Sequence, residues 1–114
     1  ALAIGVCDHL SMLEYSVYSV ISPEGCASIL WKSPENANLA AEAMCITADN
    51  LLKLKLIDEI IPEPLGGAHR NTSQVTKDIS TSISKNLNIF FNMDNKSLIN
   101  SRKNKLSSIG YYVE

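Results

Sequence analysis

The sequence lacks long apolar runs, and no segment approaches the roughly 18 consecutive apolar residues that a membrane span needs. Cysteine is scarce: Cys7, Cys26 and Cys45 form an odd set without a CxxC pair. This usage argues against a disulfide framework and favours reduced, buried thiols in a cytosolic compartment. With only two histidines, the chain also lacks the ligand spacing of a zinc site, and it has no Walker-type or GxGxxG loop.

An excess of charge of one sign is also missing, because ten lysines and arginines stand against twelve aspartates and glutamates. The formal charge of −2 gives no indication of nucleic-acid binding. Residues 1–70 carry four cations and nine anions, whereas residues 71–114 carry six and three. The 114 residues, 46% of them hydrophobic, are enough for one modest domain with a core. Since an apolar run starts at Ala1 and no methionine precedes it, we expect a piece of a longer protein.

The most informative stretch covers residues 15–31, which read YSVYSVISPEGCASILW. Its β-branched and aromatic first half predicts a strand within residues 12–21, and its second half predicts a helix over residues 26–31. Between them, Pro23 cannot donate to a β-ladder and Gly25 permits a tight turn. A strand that passes directly into a helix is a common edge of a functional site, because the N–H groups at the helix start are unpaired there.

The remaining elements follow from apolar spacing and from helix-capping residues. We predict further helices over residues 1–7, 34–48 and 50–55, from Asn71 or Thr72 to about Phe90, and from Asp94 to Gly110, with a strand over residues 56–61. Ser33, Asp49 and Asp94 are the expected caps. The residues alone therefore indicate an α/β chain with a helical last third, in which residues 111–114 trail off without chemistry.

Two groups of side chains are candidates for catalysis. Glu24 follows the predicted strand, where it acts either as a general acid or base or, as the residues favour, as a carboxylate that stabilises the helix dipole. Cys7, His9 and Cys26 invite comparison with a Cys–His nucleophile, but no third orienting residue accompanies them. Residues two apart on a helix do not face each other, so this interpretation is the weaker one.

A loop over residues 65–71 contains adjacent glycines, Gly66 and Gly67, followed by His69 and Arg70. The glycines allow positive φ or close approach of the backbone to another surface. The cationic pair beside open N–H groups is suited to a carboxylate or phosphate. The alternative is a structural loop in which the arginine caps helix carbonyls or bridges to a partner subunit, and the residues favour that alternative.

Two long stretches, YSVYSVISPEGCASILWKS and IPEPLGGAHR, carry a family resemblance, with LAAEAM and LKLIDEI between them. The chain resembles the carboxyltransferase alpha-subunit family of acetyl-coenzyme A carboxylase, of the bacterial and plastid multi-subunit type. The likeness is dense from Ala1 to about Asn71, and residues 72–114 match only in helical pattern. It implies roughly the C-terminal third of a subunit. Residues 1–71 would be the last part of a crotonase-like (ClpP/crotonase superfamily) α/β domain of ββα turns, and residues 72–114 a helical extension.

The resemblance implies transfer of a carboxyl group from carboxybiotin to acetyl-CoA, giving malonyl-CoA for fatty acid biosynthesis. On the family's mechanism, carboxybiotin releases CO2 and the biotin removes the acetyl proton, while the protein stabilises the oxyanion. The N–H groups near Ala1 and Leu2 would adjoin the oxyanion hole, since a Gly-Gly pair is expected just before Ala1. The residues that would shape the substrate and biotin pocket are Ser22, Glu24, Gly25, Gly66, Gly67, His69 and Arg70.

The implied cofactor is biotin, carried by the biotin carboxyl carrier protein and not bound covalently by this chain. The other implied partners are a beta subunit in an α2β2 assembly, biotin carboxylase, acetyl-CoA and malonyl-CoA, without nucleic acid, metal or a membrane span. The family is also associated with ATP binding and with the cytoplasm, or with the plastid stroma in a plant or alga. The piece alone is expected to be inactive, because half of the oxyanion hole and the beta subunit are absent.

Two other classes remain open. The first is another crotonase-superfamily acyl-CoA enzyme, such as a hydratase, or another biotin-dependent carboxyltransferase; these share the pattern of residues 56–62 but not EPLGGAHR. The second is a non-enzymatic helical module that binds a partner through residues 72–109. A Gly-Gly pair directly upstream of Ala1 favours the carboxyltransferase, and loss of partner binding on truncation at Asn71 favours the assembly role.

Overall fold

The computed structural model describes residues 1–110, which form six α-helices around a two-stranded parallel sheet. The helices are α1 (Leu2–Gly5), α2 (Pro23–Trp31), α3 (Ala37–Met44), α4 (Ala48–Lys53), α5 (Thr72–Phe91) and α6 (Asn95–Ser107). The strands are β1 (Ser11–Leu13) and β2 (Glu59–Ile61), and short 3-10 turns cover Pro34–Asn36 and Ala68–Arg70. The expected ending at residues 111–114 lies outside the described residues. The fold is thus a mixture of helices and parallel strands, as an α/β class predicts.

The core lies where α4 packs against the sheet. β1 and β2 are paired in register, with Met12 opposite Ile60. Met12, Ala48, Leu51 and Ile57 form a buried apolar cluster, against which Leu10, Tyr18, Leu56 and Ile60 pack. Parallel strands are stable where their faces are covered, and here α4 and α5 both contact β2. The sheet therefore fixes the positions of the segments that precede β1 and β2.

The two C-terminal helices confirm the predictions made from capping residues and apolar spacing. Asn71 precedes α5, and its side-chain oxygen accepts a hydrogen bond from the N–H of Gln74 at 3.2 Å. Asp94 stands at the N-cap of α6, and Gly110 follows the helix with a φ of +99°. α5 buries Val75 and Ser82 on the side that faces the body of the protein.

The predicted strand over residues 12–21 is wrong beyond Leu13, where β1 ends. Residues 14–22 are irregular, apart from an isolated antiparallel bridge between Val17 and Thr47. Within the described part of the chain no second strand runs beside this segment, and β preference alone does not hold an unpaired strand. The side chains of Val17 and Val20 are accordingly exposed.

The helix predicted over residues 26–31 begins three residues earlier, at Pro23. The Ser22 hydroxyl accepts a hydrogen bond from the N–H of Gly25 at 3.1 Å, and proline at the first helical position needs no N–H partner. Pro23, Glu24 and Gly25 are therefore the first turn of α2. The tight turn expected at Gly25 is wrong, because this glycine is helical.

The single helix predicted over residues 34–48 is also wrong. Ser33 caps a 3-10 turn, as its hydroxyl accepts from the N–H of Glu35, and α3 follows that turn. Cys45 ends α3 in the left-handed conformation, with a φ of +52°. The next helix, α4, starts after Thr47, so Asp49 lies in its first turn instead of capping it.

Two predicted elements are present but shorter. The helix expected over residues 1–7 covers only Leu2–Gly5, and the strand expected over residues 56–61 covers only Glu59–Ile61. The apolar start was expected to be buried, yet the side chains of Leu2, Ile4 and Val6 are exposed. Cys7, Cys26 and Cys45 carry free thiols and are each half-buried, so the expectation of burial holds only in part.

The shape of the chain leaves apolar surface open. Its radius of gyration is 16.7 Å, against about 13 Å for a compact domain of this length. α2, α3 and the 3-10 turn between them pack mainly on one another, with Ala27 and Ala40 fully buried. Exposed apolar residues lie on these two helices (Ile29, Leu30, Trp31 and Leu39) and on α5 (Ile83, Leu87, Ile89 and Phe91). No helix within residues 1–110 combines the length and the apolar character that crossing a membrane requires.

Candidate functional site

An apolar cavity of about 410 Å³ lies beside α1. Its wall combines residues of α1, of the irregular segment after β1, of α4 and of α6. The lining residues are Ala1, Leu2, Gly5, Val6, Tyr18, Ser19, Val20, Met44, Ile46, Leu51, Leu56, Leu106 and Ile109. Among residues 1–110, no carboxylate, imidazole, lysine or arginine side chain belongs to this lining. The lining is therefore suited to binding and orienting an apolar group.

Tyr18 connects α1 to the segment that follows β1. Its hydroxyl donates a hydrogen bond to the carbonyl oxygen of Ala1, and the N–H of Gly5 donates to the same oxygen. The N–H groups that open a helix have no intrahelical partner, and in α1 these belong to the residues at the rim of the cavity. The start of α1 is thus held by Tyr18, which belongs to the informative stretch over residues 15–31.

Arg102 of α6 binds Asp8, three residues beyond the end of α1. The guanidinium makes two hydrogen bonds to the carboxylate, Nε to Oδ1 at 2.9 Å and Nη2 to Oδ2 at 2.6 Å. These hydrogen bonds, with the positive charge of Arg102, hold the pKa of Asp8 below its ordinary value. A bidentate pair of this kind fixes orientation as well as distance, so α6 fixes the segment that follows α1.

A second ion pair joins α6 to the same region. Lys105 Nζ lies 2.6 Å from Asp58 Oδ2, and this oxygen also accepts the N–H of Leu10 at 2.7 Å. The N–H of Asp58 in turn donates to the carbonyl oxygen of Leu10 at 2.9 Å. Asp58 therefore fixes the backbone immediately before β1.

Glu59 is the most heavily hydrogen-bonded carboxylate of the described residues. Its Oε2 lies 2.6 Å from Ser82 Oγ, 3.0 Å from Ser11 Oγ and 3.0 Å from His9 Nε2. The hydrogen bond from Ser82, followed by those from His9 and Ser11, lowers the pKa of Glu59 to about 2. Since Glu59 is then ionised at neutral pH and can only accept, Nε2 of His9 carries the hydrogen. Glu59 thus joins β2, β1 and α5.

The three residues that immediately precede β1 are consequently all anchored. Asp8 is bound by Arg102, His9 by Glu59, and the N–H of Leu10 by Asp58. We refer to residues 8–10 as the connector. His9 is anchored by β2 and Leu10 by Asp58, the residue before that strand, both about 50 residues further along the chain. Asp8 is anchored by α6, about 95 residues further along. Within residues 1–110, no three His, Cys, Asp or Glu side chains are grouped so that they could hold a metal ion.

Comparison with known proteins identifies the family. The model of the family described as acetyl co-enzyme A carboxylase carboxyltransferase-like matches residues 1–110. The chain belongs to this family. The resemblance deduced from the sequence is confirmed, and the match continues well past Asn71, where a helical pattern alone was expected.

Individual relatives of the family agree over nearly the whole chain. The acetyl-coenzyme A carboxylase carboxyl transferase subunit alpha of Thioalkalivibrio sulfidiphilus is 56% identical over 114 residues, 100% of this chain and 36% of that protein. The subunit of the same name from Tolumonas auensis is 57% identical over 111 residues, 97% of this chain and 35% of the relative. The subunit of the same name from Pelagibacter ubique is 52% identical over 110 residues, which cover 96% of this chain and 30% of that relative. The chain therefore spans about a third of the length of these relatives.

Of the site residues that the family resemblance implies, Ser22, Glu24 and Gly25 open α2 and do not line the cavity. Ser22 caps the helix, and Glu24 is exposed in its first turn, where a carboxylate favours the helix dipole. A methyl group added at Gly25 would lie 2.8 Å from a side-chain carbon of Ile21. These positions support the role that the sequence favoured for Glu24, a carboxylate that stabilises the helix dipole.

Gly66, Gly67, His69 and Arg70 form a separate loop, which was correctly predicted. The loop is tied down by Glu63, whose carboxylate accepts the N–H of Ala68 at 2.8 Å and that of Tyr15 at 2.7 Å. His69 and Arg70 are exposed in the 3-10 turn, and neither lines the cavity beside α1. Among the described residues, no hydrogen bond links this loop to α1 or α2.

Gly67→Ala is expected to lower the free energy of unfolding by about 1–3 kcal/mol, because a φ of +108° with a ψ of 170° is accessible essentially only to glycine. The added methyl would also lie 3.2 Å from the His69 ring. Urea denaturation measures the loss. Gly110→Ala is the control, since its φ is also positive but no atom lies within 4 Å of the added methyl. Equal losses in the two variants would show that the contact of the added methyl with the His69 ring contributes nothing to the loss.

The sequence did not predict the residues that anchor the connector, although the positions of Arg102 and Ser82 on apolar stripes gave an indication. Arg102 stands on the apolar stripe of α6 with Leu98, Leu106 and Ile109, and Ser82 lies seven residues after Val75 on the buried stripe of α5. A polar residue on an apolar stripe indicates a buried partner, since an unpaired one is costly. Nothing in the sequence indicates that the partners are Asp8 and Glu59.

Proposed function

We propose that this chain is part of a carboxyltransferase alpha subunit that transfers the carboxyl group of carboxybiotin to acetyl-CoA, giving malonyl-CoA. The observation that carries the proposal is the family match over residues 1–110, with relatives named carboxyl transferase subunit alpha at 52–57% identity. Carboxybiotin gives up CO2, the liberated ureido nitrogen takes the acetyl proton, and the resulting enolate attacks CO2. Free biotin and malonyl-CoA are the products.

The cavity beside α1 fits a mechanism in which the protein supplies no strong base. Among the described residues, its lining holds no carboxylate, imidazole, lysine or arginine side chain, which supports proton removal within the substrate pair. We place the developing oxyanion near the backbone N–H groups of Ala1 and Leu2, at the rim of that cavity.

The loop and the start of α2 are proposed to shape the surface on which biotin arrives. Ser22, Glu24 and Gly25 form the first turn of α2, while Gly66 and Gly67 hold the loop conformation. His69 and Arg70 present exposed donors beside the two glycines, suited to an anionic group of the substrate or of a partner. Biotin reaches this surface on its carrier protein and is a co-substrate, not a group bound covalently by this chain.

Assembly with other proteins is part of the proposal. The partners are a carboxyltransferase beta subunit in an α2β2 assembly, the biotin carboxyl carrier protein and biotin carboxylase, in the cytoplasm or the plastid stroma. We place the chain in a crotonase-like fold, with residues 1–71 in its last part and residues 72–114 as a helical extension. The ion pairs from Arg102 and Lys105 support an extension that packs on the first part.

The test uses a subunit of the relatives' full length that carries this sequence, purified with a beta subunit. Malonyl-CoA formation from acetyl-CoA and carboxybiotin is expected for the complex and absent for the 114-residue chain alone. A folded complex that fails to form malonyl-CoA but hydrates enoyl-CoA would replace the proposal with the other acyl-CoA class. Malonyl-CoA formed by the chain alone would contradict the need for a partner.

A second candidate, an assembly surface, is favoured by the exposed apolar residues of α5. Ile89 and Phe91 are 50% and 81% exposed, although they lie on a long, well-formed helix. Binding of the beta subunit is expected to weaken when Phe91 is replaced by serine and to be unaffected by Thr81→Ala, which alters an exposed position of the same helix. Unchanged binding of the Phe91 variant, measured by calorimetry, would remove this role.

A further inference from the structure

The cations of α6 converge on the connector between α1 and β1. Arg102 holds Asp8 through two hydrogen bonds, and Lys105 holds Asp58, which binds the backbone of Leu10. The same helix contributes Leu106 to the wall of the cavity beside α1, and Ile109 follows it there. The C-terminal helix, for which the sequence suggested no chemistry, therefore contacts both the cavity and the segment that sets the direction of α1.

We propose that Arg102 is a positioning residue for carboxyl transfer, which acts by holding Asp8 and thereby fixing α1 at the wall of the cavity. This inference rests on the proposed carboxyltransferase function. It assigns to Arg102 no contact with substrate. Its effect passes through the Asp8 carboxylate to the backbone of α1.

The need for such an anchor follows from how little else holds α1. The helix has four residues and buries none of them, so apolar packing does not fix its direction. Tyr18 holds one end through the carbonyl oxygen of Ala1, and the Asp8–Arg102 pair holds the chain three residues beyond the other end. With an anchor on each side, the direction of a short helix is set, whereas Tyr18 alone would leave it free to pivot.

Arg102 is better suited to this task than Lys105. Its planar fork matches both carboxylate oxygens and fixes the angle between the two groups, while an ammonium fixes only a distance. Arg102 also reaches Asp8 directly, whereas Lys105 acts on Leu10 through Asp58. A small displacement of a helix beside reacting atoms lowers the rate of the chemical step more than it weakens substrate binding.

The test is made in the complex of a full-length subunit with its beta partner, below the unfolding temperature of every variant. Arg102→Gln is expected to lower kcat for malonyl-CoA formation about tenfold and to leave KM for acetyl-CoA within about twofold. Arg102→Lys keeps the charge but not the fork, and it is expected to recover only part of kcat. Lys103→Gln removes an equal charge from the next, exposed position of α6 and serves as the control, with kcat unchanged.

A double-mutant cycle separates positioning from general stability. Asp8→Asn is expected to lower kcat to a similar extent, and the double variant Asp8→Asn with Arg102→Gln is expected to be no slower than either single variant. Additive losses would overturn the proposal, as would a kcat that falls only in proportion to the folded fraction seen by circular dichroism. A wild-type complex without malonyl-CoA formation would instead count against the carboxyltransferase function itself.

Discussion

Leu51→Ala is expected to lower the free energy of unfolding by about 2–5 kcal/mol. Leu51 is only 3% exposed and packs with Met12, Ala48 and Ile57 in the cluster that joins α4 to the sheet. Truncation removes buried apolar contacts and leaves a void. Leu51 also lines the cavity beside α1, so the new void would add to existing empty space. Few neighbouring side chains could move in to fill it.

Guanidinium denaturation of the wild-type and variant chains measures this loss, provided that the slope with denaturant is the same for both. Leu52→Ala is the matched control, since the neighbouring leucine lies in the same helix and is 40% exposed. Its loss is expected to be clearly smaller than that of Leu51→Ala, because 40% of its surface already contacts water. Similar losses in the two variants would show that α4 is not packed on the sheet as described.

Glu59→Gln is expected to destabilise the chain by about 2–3 kcal/mol at pH 7. The carboxylate accepts hydrogen bonds from Ser82, Ser11 and His9, and hydrogen bonds to a charged acceptor are about twice as strong as neutral ones. All three hydrogen bonds go to one carboxylate oxygen, and the neutral amide oxygen of glutamine in its place would accept them more weakly. Glu42→Gln, on the exposed surface of α3, is the control and is expected to change stability by less than about 0.5 kcal/mol.

The stability difference between the wild type and Glu59→Gln is also expected to depend on pH. The pKa of Glu59 is lowered in the folded chain from its ordinary value of 4.5 to about 2, so folding favours the ionised form. Its contribution to stability is complete above about pH 4.5 and is lost as the pH falls towards 2. The difference in unfolding free energy between wild type and Glu59→Gln is therefore expected to shrink over this range, measured by denaturation at each pH. A difference that stays constant from pH 7 to pH 2.5 would contradict the assigned role of the ionised carboxylate.

Local rules were sufficient where the signal lies within a few residues. Asn71 and Asp94 before apolar stripes predicted α5 and α6, and Gly66 with Gly67 predicted a loop with positive φ. In each case the backbone preference or the cap is a property of neighbouring residues. The same rules failed over residues 14–22, because β-branched residues form a strand only where another strand pairs with them.

The candidate site was less predictable than the helices. The family resemblance directed attention to Ser22, Glu24, Gly25 and the loop with His69 and Arg70, yet none of these lines the cavity beside α1. That cavity is assembled from four parts of the chain that are distant in sequence. The side chains that hold the connector in place, Asp8, Glu59 and Arg102, are charged residues of common type, and their pairing depends on how β2 and α6 pack.

The sequence by itself determined the family, the helical last third and the loop after β2, because these depend on long specific stretches or on local backbone preference. Only the tertiary structure decided that residues 14–21, predicted as part of a strand, are irregular and hold α1 through Tyr18. It also decided that Arg102 reaches back to Asp8 across most of the chain. The physical reason is that an ion pair between distant residues depends on the packing that brings them together, which no short-range pattern records.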